Sequence, residues 1–256
     1  FADRHVDVVT VLDGPRLGAR MSALSLAVLV QQQAGVVTLL QYSCRDKNLL
    51  GIQSDLLGAY AMGLRNLLGI TGDVGGLGEI PDATAVFDVD SVGLTNVLTR
   101  LNHGLDVGGQ PIGQPTAFHV GVMVNPGAED LDNELRRFEF KVDAGAEFAV
   151  TRPVFDVGTL ERFLDRCTRF RIPMIAALWP FDSVLNAEFM ANEVPGVTVP
   201  EAVIERMRRA ESAHRAADEG LAIAREIAAE IRPVVQGFQI STAGAAVEAA
   251  QAVMAV

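Results

Sequence analysis

Asp73 closes the triplet Thr71-Gly72-Asp73, at the end of a short apolar run that begins at Asn66. A carboxylate in that position can accept a proton or a hydrogen bond from a bound ligand. The same arrangement recurs along the chain. Asp13 follows the run Asp7–Leu12. Gln41 ends Val36–Gln41, with Ser43, Arg45 and Asp46 just beyond it. Asn125 follows Thr116–Met123, and Arg152 ends Phe148–Arg152. Trp179, Pro180 and Asp182 follow Pro173–Leu178, and Ser241 and Thr242 follow Gln236–Ile240. If these runs are parallel strands, their C-terminal ends share a face and the polar groups line a pocket. Loops are polar in any protein, so the pattern alone supports a site and an ordinary surface equally.

A second cluster is Glu134, Arg137 and Lys141, spaced i, i+3, i+7 along one helical stripe. One reading is a solvated face with a local ion pair. The other is a cofactor grip, with a carboxylate for ribose or ribityl hydroxyls and a lysine for a phosphate. The segment Gly72–Glu79 is rich in glycine but lacks dinucleotide-fingerprint spacing. It reads as a flexible loop or as a lid over a ligand. His5, His103, His119 and His214 show no metal-ligand spacing, and neither cysteine forms a ligand motif, so no metal site is expected. There is no Gly-x-Ser-x-Gly nucleophile elbow.

The elements that must position these groups follow from periodicity. The seven apolar runs alternate with helical patterns, which predicts βα units and a parallel sheet. Leu131–Ala144 places Leu131, Leu135, Phe138 and Val142 at helical spacing, and Gly51–Gly63 places Ile52, Leu56 and Tyr60 on one face. Ala243–Val256 is an alanine-rich helix, and two consecutive helices fill the interval from Val199 to Arg232 as an insertion before the last strand. The regular rhythm and the length suit a (β/α)8 TIM barrel in one domain spanning 1–256, with a seven-stranded open sheet as the alternative. Phe1–His5 reads like the last turn of a helix, so the barrel's first strand is expected upstream of Phe1.

Composition narrows the function. The 256 residues are 49% hydrophobic with a formal net charge of −11, which suits a large buried core and argues against a nucleic-acid or anionic-membrane surface. No apolar run reaches membrane-spanning length; Met21–Val37 comes nearest and is interrupted by Ser22, Ser25 and Gln31. Two cysteines, Cys44 and Cys167, fit a reduced cytoplasmic protein better than a disulfide framework.

The block Cys44–Gly51, continuing through Gln53–Ala59, Gly63–Asn66 and Thr71–Asp73, resembles the methylenetetrahydrofolate reductase family, closest to the type fused to homocysteine S-methyltransferase. The likeness continues in order through Pro81–Ser91, Asn125–Ala128, Lys141–Ala146, Pro153–Asp156, Asn186–Phe189 and Asn192–Gly196. The resemblance implies a (β/α)8 barrel that binds FAD and passes a hydride from NAD(P)H, through the flavin, to 5,10-methylenetetrahydrofolate. It implies a catalytic role for Asp73 beside flavin and pterin, with the family's catalytic glutamate on the strand upstream of Phe1. It implies flavin contacts for Gln41, Thr71, Gly72, Asp73, Asn125, Ala128, Glu134, Arg137 and Lys141. Folate contacts fall to Asp73, Arg152 and Asn186. Self-association or a partner subunit is compatible with it.

This chain departs from the family pattern at three of these places. Thr151-Arg152-Pro153 stands where relatives often read Thr-Gln-Pro. Gln41 replaces a common histidine, and Gly244-Ala245-Ala246 replaces Gly-Arg-Tyr, removing a substrate-contacting arginine. Arg152 either faces the pocket, where it opposes a cationic folate intermediate, or pairs with Asp156 or Glu188. Arg152 and Ala245 motivate the alternative function, a divergent subunit or binding module of this fold that has lost folate turnover.

Overall fold

A computed structural model of the chain describes residues 6–14, 20–72, 84–194, 196–242 and 247–254. The strands are β1 (Val9–Val11), β2 (Thr38–Ser43), β3 (Asn66–Ile70), β4 (His119–Val124), β5 (Phe148–Pro153), β6 (Met174–Leu178) and β7 (Gly237–Ile240). The helices are α1 (Ala23–Ala34), α2 (Leu49–Ala61), α3 (Ser91–Asn102), α4 (Leu131–Asp143), α5 (Val157–Arg166), α6 (Val184–Glu193), α7 (Glu201–Ser212), α8 (Ala216–Ile231) and α9 (Val247–Met254). Each expected strand is present. Most boundaries move by a residue or two, because ladder hydrogen bonds rather than side-chain type decide where pairing stops. The polar Ser43 is therefore part of β2, while Asp7 and Val8 lie ahead of β1.

The chain forms two compact units. Unit one comprises Phe1–Met123 and Phe140–Glu147, and unit two comprises Val124–Glu139 and Phe148–Val256. In unit one β1 pairs with β2, β2 with β3 and β3 with β4, all parallel. In unit two β5 pairs with β6 and β6 with β7, again parallel. Parallel neighbours in chain order, each joined by a helix, make the TIM-barrel-like α/β fold expected from the alternation. An open doubly wound sheet would reverse its strand order at a switch point.

Helix starts are set by local side chains. Asn48 Oδ1 accepts from the Gly51 amide (2.8 Å) and Asp90 Oδ1 from Val92 and Gly93, which starts α2 and α3. Asp130 Oδ1 accepts from the Asn133 amide (2.9 Å) at the start of α4. The edge strands β1 and β7 are mostly half-buried, while the inner strands are buried on both faces, as in β2, where five of six residues are buried. That is the signature of a parallel sheet covered by helices. The core of unit one packs Leu40, Tyr42, Leu67 and Val120 against Ile52, Leu56, Leu94 and Leu98. In unit two the Phe138 ring lies 5.8 Å from Phe163 and 5.6 Å from Phe170.

The paired helices expected before the last strand are α7 and α8. Arg206 joins them through Glu219 (2.7 Å) and a two-pronged contact with Glu226 (2.6 and 2.9 Å). The alanine-rich terminal helix is described from Val247 to Met254. Its expected start at Ala243, and Ala245 with it, lie outside the described residues, as do Phe1–His5 and the glycine-rich segment from Asp73.

Candidate functional site

In unit one the strand ends are tied together by side chains separated by tens of residues. The Asp13 amide donates to Gln41 Oε1 (3.1 Å), and Asp13 Oδ2 accepts from the Ser43 amide (2.9 Å). With its oxygen engaged, Gln41 directs Nε2 toward the thioether of Met123 (3.6 Å), a weak acceptor. Ser43 Oγ in turn accepts from the Arg45 amide (3.2 Å). Thr71 Oγ1 accepts from the Ser91 amide (3.0 Å), so the residue just past β3 anchors the start of α3. Gly72 has φ +95°, and a Cβ there would meet Ser43 Oγ and stand 2.9 Å from Arg45 Cβ. Only glycine fits that conformation and that approach.

Arg45 is 5% exposed and grips Asp46 with two bonds, Nε to Oδ1 (2.6 Å) and a terminal nitrogen to Oδ2 (2.8 Å). The guanidinium holds the Asp46 carboxyl below its ordinary range. Behind this face, Tyr42 is 1% exposed and donates to Asp55 Oδ2 (3.0 Å), which also pairs with Lys47. Burial, reinforced by Asp55, pushes the Tyr42 phenol far above its ordinary range. Burial, followed by the charge of Asp90, pushes the Cys44 thiol up to about 12. Lys141 is 6% exposed, and its ammonium donates to the carbonyl of Met123 at the end of β4 (2.7 Å).

In unit two the turn after β4 is built around Asn125. Its amide donates to Glu134 Oε1 (2.9 Å), and its own Oδ1 accepts from the Gly127 amide (3.1 Å). The Ala128 amide closes the turn on the Asn125 carbonyl (3.1 Å). Strand β5 shifts register against β6 between Val150 and Pro153. Thr151 Oγ1 fills the gap by accepting from the Ala177 amide (2.9 Å). Arg152 sits in this irregularity and lines a narrow cleft of about 20 Å³, together with Asn125, Gly127, Asp156, Thr159 and Thr198. That space holds about one water. Asp156 caps α5 through the Gly158 amide (3.2 Å), accepts from Thr159 and lies 3.7 Å from Arg162. Glu188 is paired with Arg208 (2.7 Å). Asn186 Oδ1 accepts from the indole N–H of Trp179 (3.1 Å), which orients both side chains.

The expected residues therefore fall into groups. Gln41, Thr71, Gly72 and Lys141 belong to unit one; Asn125, Ala128, Glu134, Arg137, Arg152 and Asn186 belong to unit two; Asp73 lies outside the described residues. The stripe on α4 is not a plain solvated face: Glu134 and Lys141 both hold backbone at the end of β4. The ties from Asp13 to Ser43, Thr71 to Ser91 and Trp179 to Asn186 had no sequence signal, since neither spacing nor residue type marks the partners. Among the described residues no group of three or more His, Cys, Asp or Glu could hold a metal ion, and no helix is long and apolar enough to cross a membrane.

Residues 2–253 match the family model described as methylenetetrahydrofolate reductase. The chain belongs to the methylenetetrahydrofolate reductase family. It is 27% identical over 180 residues to a probable methylenetetrahydrofolate reductase (NADPH) of Caenorhabditis elegans, covering 68% of this chain and 26% of the relative. It is 21% identical over 202 residues to the 5,10-methylenetetrahydrofolate reductase of Buchnera aphidicola subsp. Schizaphis graminum, covering 77% of this chain and 62% of the relative. The chain thus spans less than two thirds of either of these reductases. Among solved structures, an uncharacterized Clostridium thermocellum protein that binds two copies of 5-methyl-5,6,7,8-tetrahydrofolic acid superposes with a TM-score of 0.67 at 12% identity. That match covers 97% of this chain and 81% of the other. An EDTA monooxygenase from Chelativorans sp. BNC1 superposes at 0.59 with 10% identity, covering 99% of this chain and 83% of that one. At such identities the likeness establishes the fold alone.

Proposed function

We propose that this member of the methylenetetrahydrofolate reductase family reduces 5,10-methylenetetrahydrofolate to 5-methyltetrahydrofolate with NAD(P)H and bound FAD. The observation that carries the reading is the family match across residues 2–253, which takes in every strand end described above. Residues in each unit, taken separately, offer groups of the kind that a cofactor bearing phosphates and hydroxyls uses. Lys141 carries an ammonium, a donor of the kind that phosphates take, beside the Met123 carbonyl. Glu134 spends Oε1 on Asn125, which leaves Oε2 for a hydroxyl. Gln41 presents Nε2 as a donor, because Asp13 already occupies its oxygen.

When bound, FAD would supply the hydride chemistry, and the protein's work is to hold, orient and protonate. Glu134, Arg137 and Lys141 would hold the ribityl chain, ribose and phosphates, and Asn125 and Ala128 would support the flavin. Gln41, Thr71, Gly72 and Asp73 would line the ring system, with Asp73 shared with the pterin. Arg152 and Asn186 would face the folate. A reduced cytoplasmic setting and membership of the type found fused to homocysteine S-methyltransferase belong to the same proposal. The first draws on two buried free thiols, Cys44 and Cys167, and the second on the Cys44–Asp73 likeness.

The specific observation favouring a second reading, a family member with altered or lost turnover, is Arg152 lining the β5 cleft where relatives often carry glutamine. Purification tests both readings. Flavin absorbance, together with NAD(P)H oxidation dependent on methylenetetrahydrofolate, is the expected result. A colourless protein that cannot be reconstituted with FAD overturns the first reading, and a yellow protein without folate turnover selects the second.

A further inference from the structure

A second cavity in unit two, of about 460 Å³, opens between the segment after β6, the start of α8 and helix α9. Its size is that of a small-molecule site, and it shares no lining residue with the Arg152 cleft. Phe181, Leu221, Ala249 and Ala252 make apolar walls. The wall made by Phe181 and α8 is built before any ligand arrives. The Phe181 ring stacks on Phe155 at 4.6 Å and 13°, and α8 is seated on the Phe181 backbone through Gly220.

The polar part of the lining is one-sided. Asp182, Asp218 and Glu248 contribute three carboxylates and Thr242 a hydroxyl, and among the described residues no lysine or arginine takes part. Among the described residues none of the three carboxylates is paired with a basic side chain; Asp182 accepts only from Ser183 Oγ (2.8 Å). Like charges around apolar walls focus a negative potential into the opening. Phosphates and carboxylates are repelled there, so nucleotides and the glutamate tail of a folate are poor occupants. A compact apolar body buries against the alanines and Leu221, and a positive group on it meets the acidic rim.

We propose that this cavity binds a small organic cation, an amine or amidine carried on a compact apolar body. The inference does not depend on the folate reading. Benzamidine, benzamide and benzoate are probes of nearly one shape with positive, neutral and negative heads. Saturation-transfer NMR on the full chain at low salt should show saturable benzamidine binding, about tenfold or more weaker benzamide binding, and no benzoate binding. Benzamidine affinity should fall as salt rises. The double variant Asp218→Asn/Glu248→Gln, altered only at exposed rim positions, should keep its melting temperature and lose about tenfold in benzamidine affinity. Ala252→Phe, which fills the cavity, should remove binding of both benzamidine and benzamide. Absence of benzamidine binding, equal affinity for benzamidine and benzamide, or undiminished binding by the double variant overturns the proposal.

Discussion

The bond from the Asn125 amide to Glu134 Oε1 gives the α4 stripe two separable duties, and substitution of Glu134 tests them apart. At 2.9 Å this is a backbone donor on an ionised acceptor, a type worth about 1.5–3 kcal/mol. Glu134→Ala leaves the partly buried Asn125 amide without its acceptor and should cost about that amount. For a chain of this size each kcal/mol lowers Tm by about 2–4 °C, so a fall of roughly 3–12 °C is expected. Glu134→Gln keeps an oxygen in place and loses the charge, and because charged hydrogen bonds are roughly twice as strong as neutral ones the cost should be about half. Flavin retention should behave differently. If Oε2 holds a cofactor hydroxyl, Glu134→Gln should weaken FAD binding even though the turn survives. Differential scanning calorimetry of the flavin-free protein and FAD titration by fluorescence quenching read the two duties independently. An unchanged Tm in Glu134→Ala would refute the structural duty. Wild-type FAD affinity in Glu134→Gln would refute the cofactor duty.

Further predictions concern the fold and the chemistry. The Cys44 thiol is raised to about 12 in the folded protein from 9.0, so the unfolded chain loses this proton first. Its contribution, at most about 4 kcal/mol, is intact below pH 9 and disappears as pH rises from 9 to 12; urea melts across that window should slope less steeply in Cys44→Ala, and equal slopes would count against it. Gly220→Ala would drive a Cβ into the Phe181 carbonyl, with the Phe181 amide 2.9 Å away. It should therefore destabilise by about 1–3 kcal/mol or more, whereas Gly58→Ala in α2, with nothing within 4 Å, should stabilise by about 0.5–1 kcal/mol; denaturant midpoints moving the same way in both would sink the packing argument. If Arg152 faces the folate as proposed, a guanidinium ~4 Å from a cationic intermediate opposes it by about 1–4 kcal/mol, so Arg152→Gln should raise kcat/KM for methylenetetrahydrofolate by about fivefold or more, and no change would overturn that placement.

Much of the fold was legible because its determinants are local. Alternating apolar runs and helical stripes placed β2 to β7 within a few residues, and Asn48, Asp90 and Asp130 mark helix starts through bonds to amides two or three positions on. The site was legible only as a list of residue types at strand ends. Nothing in the order of residues shows that Gln41 is turned by the Asp13 amide, that Thr71 anchors α3, or that the register shift in β5 sets Arg152 in a cleft. Each depends on a partner 20 or more residues away, and such pairings leave no period in the chain.

The sequence by itself determined the α/β class, the strand count and the family, since these rest on periodicity and on motifs that persist in order from Cys44 to Gly196. Tertiary structure decided what the polar residues are bonded to. Lys141 and Glu134 are spaced like surface charges on a helix, yet both are drawn in to satisfy backbone groups at the end of β4. A buried carbonyl or amide must find a partner, and only the folded chain shows which side chain is within reach.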